Sequence, residues 1–212
     1  MESGVMLLCD IGNSSYHFLK DKELFKQSVN TFDPFSIKEE VYYICVNPKI
    51  KIILNSLTNW VDLAKYIDMQ SYYSTMGIDR IVASMAVEDG LIIDAGSAIT
   101  VDIVKNSKFM GGYIYPGLKA MTQTYKNIST ALDYSLNFEI DLDIMPKNSQ
   151  DAISYGYLKT LSSEVMSHNM NIIITGGDAD KFKIIFPHAQ IDEALIFKGM
   201  KKIIQNNQLA YK

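Results

Sequence analysis

The sequence predicts an α/β protein made of two halves of related topology, residues 1–90 and 91–212. Three observations carry that expectation. Short apolar runs that read as strands alternate with stretches of helical periodicity. The pattern Asp-x-Gly occurs at residues 10–12 and again at 94–96, each time between an apolar run and a second strand that leads into a hairpin. No flexible linker separates the copies, so the repetition reads as an internal duplication with its boundary near Gly90.

Residues 5–9 form the first apolar run and end in Asp10-Ile11-Gly12-Asn13-Ser14. Strands at 16–20 and 23–29 follow, joined by a turn at Asp21-Lys22. The pattern is lost over 31–40, and 41–46 is another strand. Pro48 suits a first helical turn and opens a modest helix over 49–57. Residues 58–75 resist assignment, with 61–67 fitting strand or helix equally. A helix from Asp79 to Glu88 stops at Asp89-Gly90. The opening pattern then returns: an apolar run at 91–93, Asp94-Ala95-Gly96-Ser97-Ala98, a strand at 99–104, a turn at Asn106-Ser107 and a strand at 109–115. The two serines are out of register, Ser14 lying two residues after Gly12 and Ser97 directly after Gly96. Beyond come a helix at 118–128, a loop-rich segment to Pro146, and a long helix over 150–168 with Ile153, Tyr157, Leu161 and Val165 on one face. A strand at 171–174 ends in Thr175-Gly176-Gly177, a helix starts at Ala179, and 195–205 is the C-terminal helix.

Composition excludes several classes of function. With 212 residues, 48% of them hydrophobic, the chain can bury a core without disulfide or metal staples. A net charge of −4 and the lack of a polybasic run argue against nucleic-acid and membrane-surface partners. No window approaches the roughly 18 apolar residues of a membrane span, and a signal peptide is not expected. Cys9 and Cys45 sit in apolar runs and read as free buried thiols. The three histidines, His17, His168 and His188, lack zinc-ligand spacing. A soluble cytoplasmic protein is the expectation.

The Asp-x-Gly turns carry the chemistry. A strand followed by a tight turn presents successive backbone N–H groups that can hold phosphate oxygens. Gly12 permits close approach, Ser14 adds a hydroxyl donor, and Asp10 can orient a hydrated Mg²⁺. Either turn alone is explained as an ordinary β-turn; two facing turns would grip a polyphosphate from both sides. Gly96 and Ser97 offer the same groups beside Asp94, while Asp102 is equally well a structural carboxylate. Neither turn is Gly-x-Gly-x-x-Gly or a Gly-Lys-Ser/Thr loop, and both lead into strands, which disfavours those nucleotide folds. In Gly77-Ile78-Asp79-Arg80, Asp79 is either a helix cap or a proton acceptor, and Arg80 either a surface charge or a partner for a carboxylate or phosphate. The glycines of 111–117 and of Thr175-Gly176-Gly177 are simple connections or bare backbone against a ligand.

In this order, these segments resemble the type III pantothenate kinases of the acetate-kinase, hexokinase and actin superfamily. Residues 10–14, 77–80, 94–102, 111–118 and 175–179 match its signatures, with Ser149, Ala152, Ile153, Gly156 and the segment 191–200 as further matches. The resemblance implies a duplicated ribonuclease-H-like (actin-like ATPase) fold, two halves with mixed sheets flanked by helices. It implies ATP-dependent phosphorylation of pantothenate, the entry to coenzyme A, with Mg²⁺ and a monovalent cation (K⁺ or NH₄⁺), in a homodimer. By motif position Asp79 is the proton acceptor, and Tyr73, Gly77, Ile78, Arg80 and Ser149 contact pantothenate. Asp10, Ile11, Gly12, Asn13, Ser14, Ser15, Tyr16, His17, Gly96, Ser97, Gly176 and Gly177 meet ATP, and Asp94 holds the monovalent cation. Tyr72 competes with Tyr73 for the substrate-side role. Ser14, Ser97 and Ser149 replace the family's usual threonines, keeping the hydroxyl, and His17 stands where lysine is common. A non-catalytic transcriptional accessory factor on this scaffold and a kinase for another small hydroxy acid are the alternatives.

Overall fold

In the computed structural model, which describes residues 6–209, the first apolar run forms β1 (Leu7–Ile11); the expected start at Val5 lies outside the described residues. β2 (Ser15–Lys20) and β3 (Glu23–Ser28) run antiparallel beside it, and β4 (Val41–Cys45) and β5 (Trp60–Asp62) add parallel on the other side, in the order β3-β2-β1-β4-β5. β1 and β4 are apolar almost throughout because both faces of the sheet are covered. One face packs Leu7, Cys9, Ile11, Tyr16, Phe18, Tyr43 and Trp60. The other packs Leu8, Leu19, Tyr42 and Ile44 against α2 (Ile78–Met85) and the C-terminal helix, α6 (Leu195–Asn206).

Between β4 and β5, α1 (Pro48–Leu54) starts where Asn47 accepts the Lys49 and Ile50 N–H groups, and it ends three residues short of the expected 57. The unassigned stretch contains both of its candidate structures. β5 passes directly into a 3-10 turn over Leu63–Tyr66, capped by the Asp62 carboxylate on the Ala64 N–H.

The second unit repeats this plan strand for strand. β6 (Gly90–Ala95), β7 (Ala98–Lys105), β8 (Lys108–Pro116), β9 (Ile172–Thr175) and β10 (Gln190–Ile191) take the order β10-β9-β6-β7-β8, antiparallel across β6, β7 and β8 and parallel across β6, β9 and β10. The sequence reading lacks β10, whose two residues are too few to show a pattern. Asn106 and Ser107 turn the β7–β8 hairpin with φ of 49° and 58°, the left-handed pair such a two-residue turn needs. α3 (Leu118–Ile128), α4 (Ser149–Ser167) and α5 (Ala179–Ile185) bury Leu118, Tyr157, Leu158, Leu161, Val165, Ala179 and Phe182 with Leu91, Ile93, Ile99 and Val101 of the sheet. Among the described residues no helix is long and apolar enough to cross a membrane.

One compact unit holds the residues up to Ala86 together with those from Ala194 onward, and the other is Val87–Glu193. This division differs from the expected 1–90 and 91–212 chiefly in the C-terminal helix. Periodicity shows that α6 has an apolar face but not which surface covers it. Phe197, Met200, Ile203 and Ile204 are buried against Leu8 and Val82, which returns the helix to the first unit.

Candidate active site

In the first unit, the turn between β1 and β2 is closed by the Gly12 N–H donating to the Ser15 carbonyl at 3.0 Å, leaving Asn13 and Ser14 exposed. The β6–β7 turn is closed likewise, the Gly96 N–H donating to the Ala98 carbonyl at 3.1 Å, and Ser97 is exposed. The second turn is one residue shorter, and that explains the serines. Ser14 and Ser97 each stand immediately before the next strand, so they are equivalent in the fold although their distances from glycine differ. The carboxylates are equivalent too: Asp10 pairs with His17 across β2 and Asp94 with Thr100 across β7.

The side chains of residues 10–17 divide between the two faces. Ile11 and Tyr16 are fully buried in the aromatic core, so only their backbones are available to a nucleotide. Asp10, Ser15 and His17 lie on the opposite face, since alternate residues of a strand point opposite ways. Ser15 Oγ and His17 Nε2 are 2.9 Å apart. Burial, helped by the nearby Lys26 charge, pushes the His17 imidazole below its ordinary pKa.

The 94–98 turn is held from below by two glycines. The Gly117 N–H donates to the Ser97 carbonyl at 3.2 Å, and a Cβ on Gly117 would collide with the Ser97 and Gly96 carbonyls. Gly176 follows β9 with φ +89°, and a Cβ there would lie 2.5 Å from Asp94 Oδ1 and 2.6 Å from the Ala95 carbonyl. The Asp178 N–H then donates to that same carbonyl at 2.9 Å. Gly176 is therefore glycine for two reasons, its left-handed backbone and the carboxylate resting on it. Gly177 has open space where a side chain would stand. Gly176→Ala is expected to displace the Asp94 carboxylate and lower the melting temperature, since both the left-handed backbone and the carboxylate oppose a side chain there; an unchanged melting temperature would show that Asp94 and its turn give way freely.

Residues 77–80 begin α2, but the cap is not the one expected. Gly77 is the N-cap, and Asp79 lies inside the first turn. Asp79 Oδ1 accepts the Arg80 N–H at 2.8 Å and folds back over Gly77, where a Cβ would meet it. Burial raises the Asp79 carboxyl above its ordinary pKa, and the Arg80 N–H and guanidinium only partly oppose that. Arg80 is a buried charge, 5% exposed, and not the surface residue of the simpler reading. Its guanidinium donates to the Tyr73 hydroxyl at 2.5 Å and lies 5.9 Å from that ring's centroid. Tyr73 is thus anchored by Arg80 yet 45% exposed, while Tyr72 belongs to the same loop after the 3-10 turn Met69–Ser71.

Ser149 occupies the first position of α4, in the second unit. Asn148 caps that turn by accepting the Asp151 N–H at 2.9 Å and donates to Asp151 Oδ2 at 2.6 Å; Asn137 donates to the other oxygen at 2.9 Å. These two amides hold the Asp151 carboxyl below its usual range. Asp102, left open by the sequence, is 1% exposed within β7.

Sequence reasoning named the 94–102 segment but gave Thr100 no role. Its hydroxyl is buried and has no hydrogen-bond partner, and its residue stands opposite Asp94, which Thr175 flanks from β9. Only the cross-strand register places these three residues side by side. An all-oxygen set of this kind suits a hard cation. Among the described residues no three His, Cys, Asp or Glu side chains cluster as metal ligands. Mg²⁺ asks less, being held through one or two carboxylates with phosphate oxygens and water, and Asp10 beside its turn is a carboxylate that could serve.

Residues 50–171 match the family description "Type III pantothenate kinase". A protein of that name from Sulfurimonas denitrificans is 57% identical over 204 residues, 96% of this chain and all of the relative. Another from Campylobacter jejuni is 41% identical, covering 95% of this chain and 98% of its own. A solved C. jejuni structure described as a Baf family transcriptional activator superposes with a TM-score of 0.87 at 39% identity, covering 96% of this chain and all of that one. Component A of (R)-2-hydroxyglutaryl-CoA dehydratase from Acidaminococcus fermentans shares the fold at a TM-score of 0.52 and 14% identity, covering 98% and 99% of the two chains. A family description matched over more than half of the chain, and relatives matched from end to end, give one conclusion: the chain belongs to the type III pantothenate kinases.

Proposed function

We propose that this protein transfers the γ-phosphoryl group of ATP to the primary hydroxyl of pantothenate, giving 4′-phosphopantothenate and ADP, the first step of coenzyme A biosynthesis. One observation carries the reading. Each unit of this family member presents the same strand–turn–strand, with an aspartate before the turn and an exposed serine at its end. The N–H groups and hydroxyls of residues 12–14 and 96–97 bind phosphate oxygens, with Gly176 and Gly177 as the bare backbone beside the nucleoside. Pantothenate is held by Tyr73, Gly77, Ile78, Arg80 and Ser149, its hydroxyl directed at Asp79. As the hydroxyl oxygen bonds to the γ-phosphorus and the bond to the β-phosphate oxygen breaks, Asp79 takes the hydroxyl proton. A carboxylate shielded from water is a better acceptor near neutrality than an ordinary aspartate, which is what its raised pKa supplies.

Mg²⁺ supplies charge neutralisation of the phosphates, with Asp10 as its protein ligand. Asp94 holds a monovalent cation, and the unpartnered Thr100 hydroxyl opposite it supports that assignment. The chain acts as a cytoplasmic homodimer. The second unit's exposed apolar residues, Met110 and Ile114 at 60% and 61% exposure on β8 and Met145 at 72%, support a covered surface there.

Purified protein given ATP, Mg²⁺ and K⁺ should release ADP only when pantothenate is added, and omitting K⁺ should lower the rate. ADP release that ignores pantothenate overturns the substrate, and indifference to K⁺, Na⁺ and NH₄⁺ overturns the Asp94 assignment. The likeness to a protein described as a transcriptional activator favours a second reading, a nucleotide-binding accessory factor. Nucleotide binding without phosphoryl transfer would favour it; Asp10, Asp79 and Asp94 together favour the kinase.

A further inference from the structure

Strand register lines up three side chains on one face of the first unit's sheet: Asp10 on β1 pairs with His17 on β2, which pairs with Lys26 on β3. One step nearer the turn, Ser15 pairs with Ser28; one step farther, Leu19 pairs with Leu24. The face is therefore apolar where α2 and α6 cover Leu8, Leu19, Tyr42 and Ile44, and polar where it approaches the 12–14 turn. The second unit has an equivalent row of Thr175, Asp94, Thr100 and Ile114, which contains no cation. Of the two rows beside the two turns, only the first carries a lysine or arginine, and Lys26 is that residue.

A triphosphate seated on the 12–14 turn would bring several negative charges close to the Asp10 carboxylate. One Mg²⁺ offsets part of that repulsion, and the same face has Lys26 to offset more. Strands are spaced about 5 Å apart, so the long, flexible lysine stem on β3 is long enough to reach over β2 toward the turn. Two observations support that reach. The Lys26 ammonium is close enough to act on His17, directly opposite Asp10. Among the described residues Lys26 forms no salt bridge or hydrogen bond, whereas neighbouring Lys20 is engaged by Glu39 at 2.9 Å.

We propose that Lys26 is a nucleotide-binding residue whose ammonium contacts the terminal phosphates of ATP on the 12–14 turn. This rests on the reading of the chain as an ATP-dependent kinase and adds a residue that none of its signature segments contains. The competing explanation is that Lys26 merely blunts β3, an edge strand, against pairing with other chains.

Equilibrium binding of Mg·ATP and of adenosine to the whole protein, without pantothenate, separates these explanations and does not depend on the acceptor. Lys26→Ala should weaken ATP about ten-fold and leave adenosine within two-fold of the unsubstituted protein. Its ATP affinity should also fall less steeply with added salt, and Lys26→Arg should restore most of the loss. ATP affinity unchanged in Lys26→Ala overturns the proposal, with or without aggregation of the variant. Equal loss of ATP and adenosine overturns it too, as a general structural effect. If the unsubstituted chain binds ATP and turns over pantothenate normally, those results count against Lys26 alone. If it binds no ATP, the kinase reading falls together with this one.

Discussion

Asp79→Asn is expected to lower pantothenate-dependent kcat by roughly 10²-fold or more, with the fold intact and its stability at neutral pH undiminished. The two effects have one cause. Asp79 is shielded from water at the start of α2, and the Arg80 N–H only partly compensates its charge. Because its folded pKa is raised, the folded state holds this proton more tightly than the unfolded chain does. The contribution to stability is then fully present below the ordinary carboxylate range and is lost as pH rises through the raised value. At neutral pH the native protein bears that loss. The asparagine variant does not, and its amide oxygen can still accept the Arg80 N–H. Melting curves at acid and neutral pH should show the variant gaining relative to the parent as pH rises. Activity runs the other way: kcat should decline in acid at a higher pH than an unshielded aspartate would dictate. Near-normal turnover in Asp79→Asn would remove this residue from the chemistry. A drop in melting temperature at neutral pH would show that charge-assisted bonding outweighs the desolvation cost.

Elements dominated by one-dimensional patterns were legible in the sequence. β1 and β6 are apolar runs stopped by an aspartate, and α4 buries Ile153, Tyr157, Leu161 and Val165 as their spacing of four requires. The duplication was legible for the same reason. The equivalence of Ser14 and Ser97 was not, because it depends on a turn one residue shorter, which only strand pairing reveals. Residues 58–75 were opaque because their structure is set by carboxylates: Asp62 and Asp68 cap successive 3-10 turns too short to leave a period. Within the site, motif position named Ile11 and Tyr16 along with their neighbours. Strand alternation sends those two side chains into the core and leaves Asp10, Ser15 and His17 on the other face. Thr100 and Lys26 acquire meaning only as cross-strand partners of residues already suspected.

Gly199→Ala should produce a large loss of stability for the addition of one methyl group. Gly199 is buried within α6, where the sequence offers it no chemistry and helix propensity favours alanine by about 1 kcal/mol. The structure supplies the opposing term. A Cβ at this position would overlap the Val82 carbonyl oxygen of α2 and lie 2.8 Å from both the carbonyl carbon and Cγ1 of Val82. Backbone atoms cannot rotate away as a long side chain can, so the helices must separate. Overpacking of this kind costs about 1–3 kcal/mol and at times more, and at about 2–4 °C per kcal/mol for a chain of this size the melting temperature should fall by several degrees. Gly156→Ala is the matched control: it is also a mid-helix glycine, on α4, but with nothing within 4 Å of the added methyl, and it should raise the melting temperature slightly. Equal shifts in the two variants would mean that α2 and α6 do not meet backbone to backbone. A selective loss in Gly199→Ala would also lower kcat before the protein melts, because the helix pushed aside is the one whose first turn carries Asp79. The glycine with no chemistry of its own would then set where the proton acceptor stands.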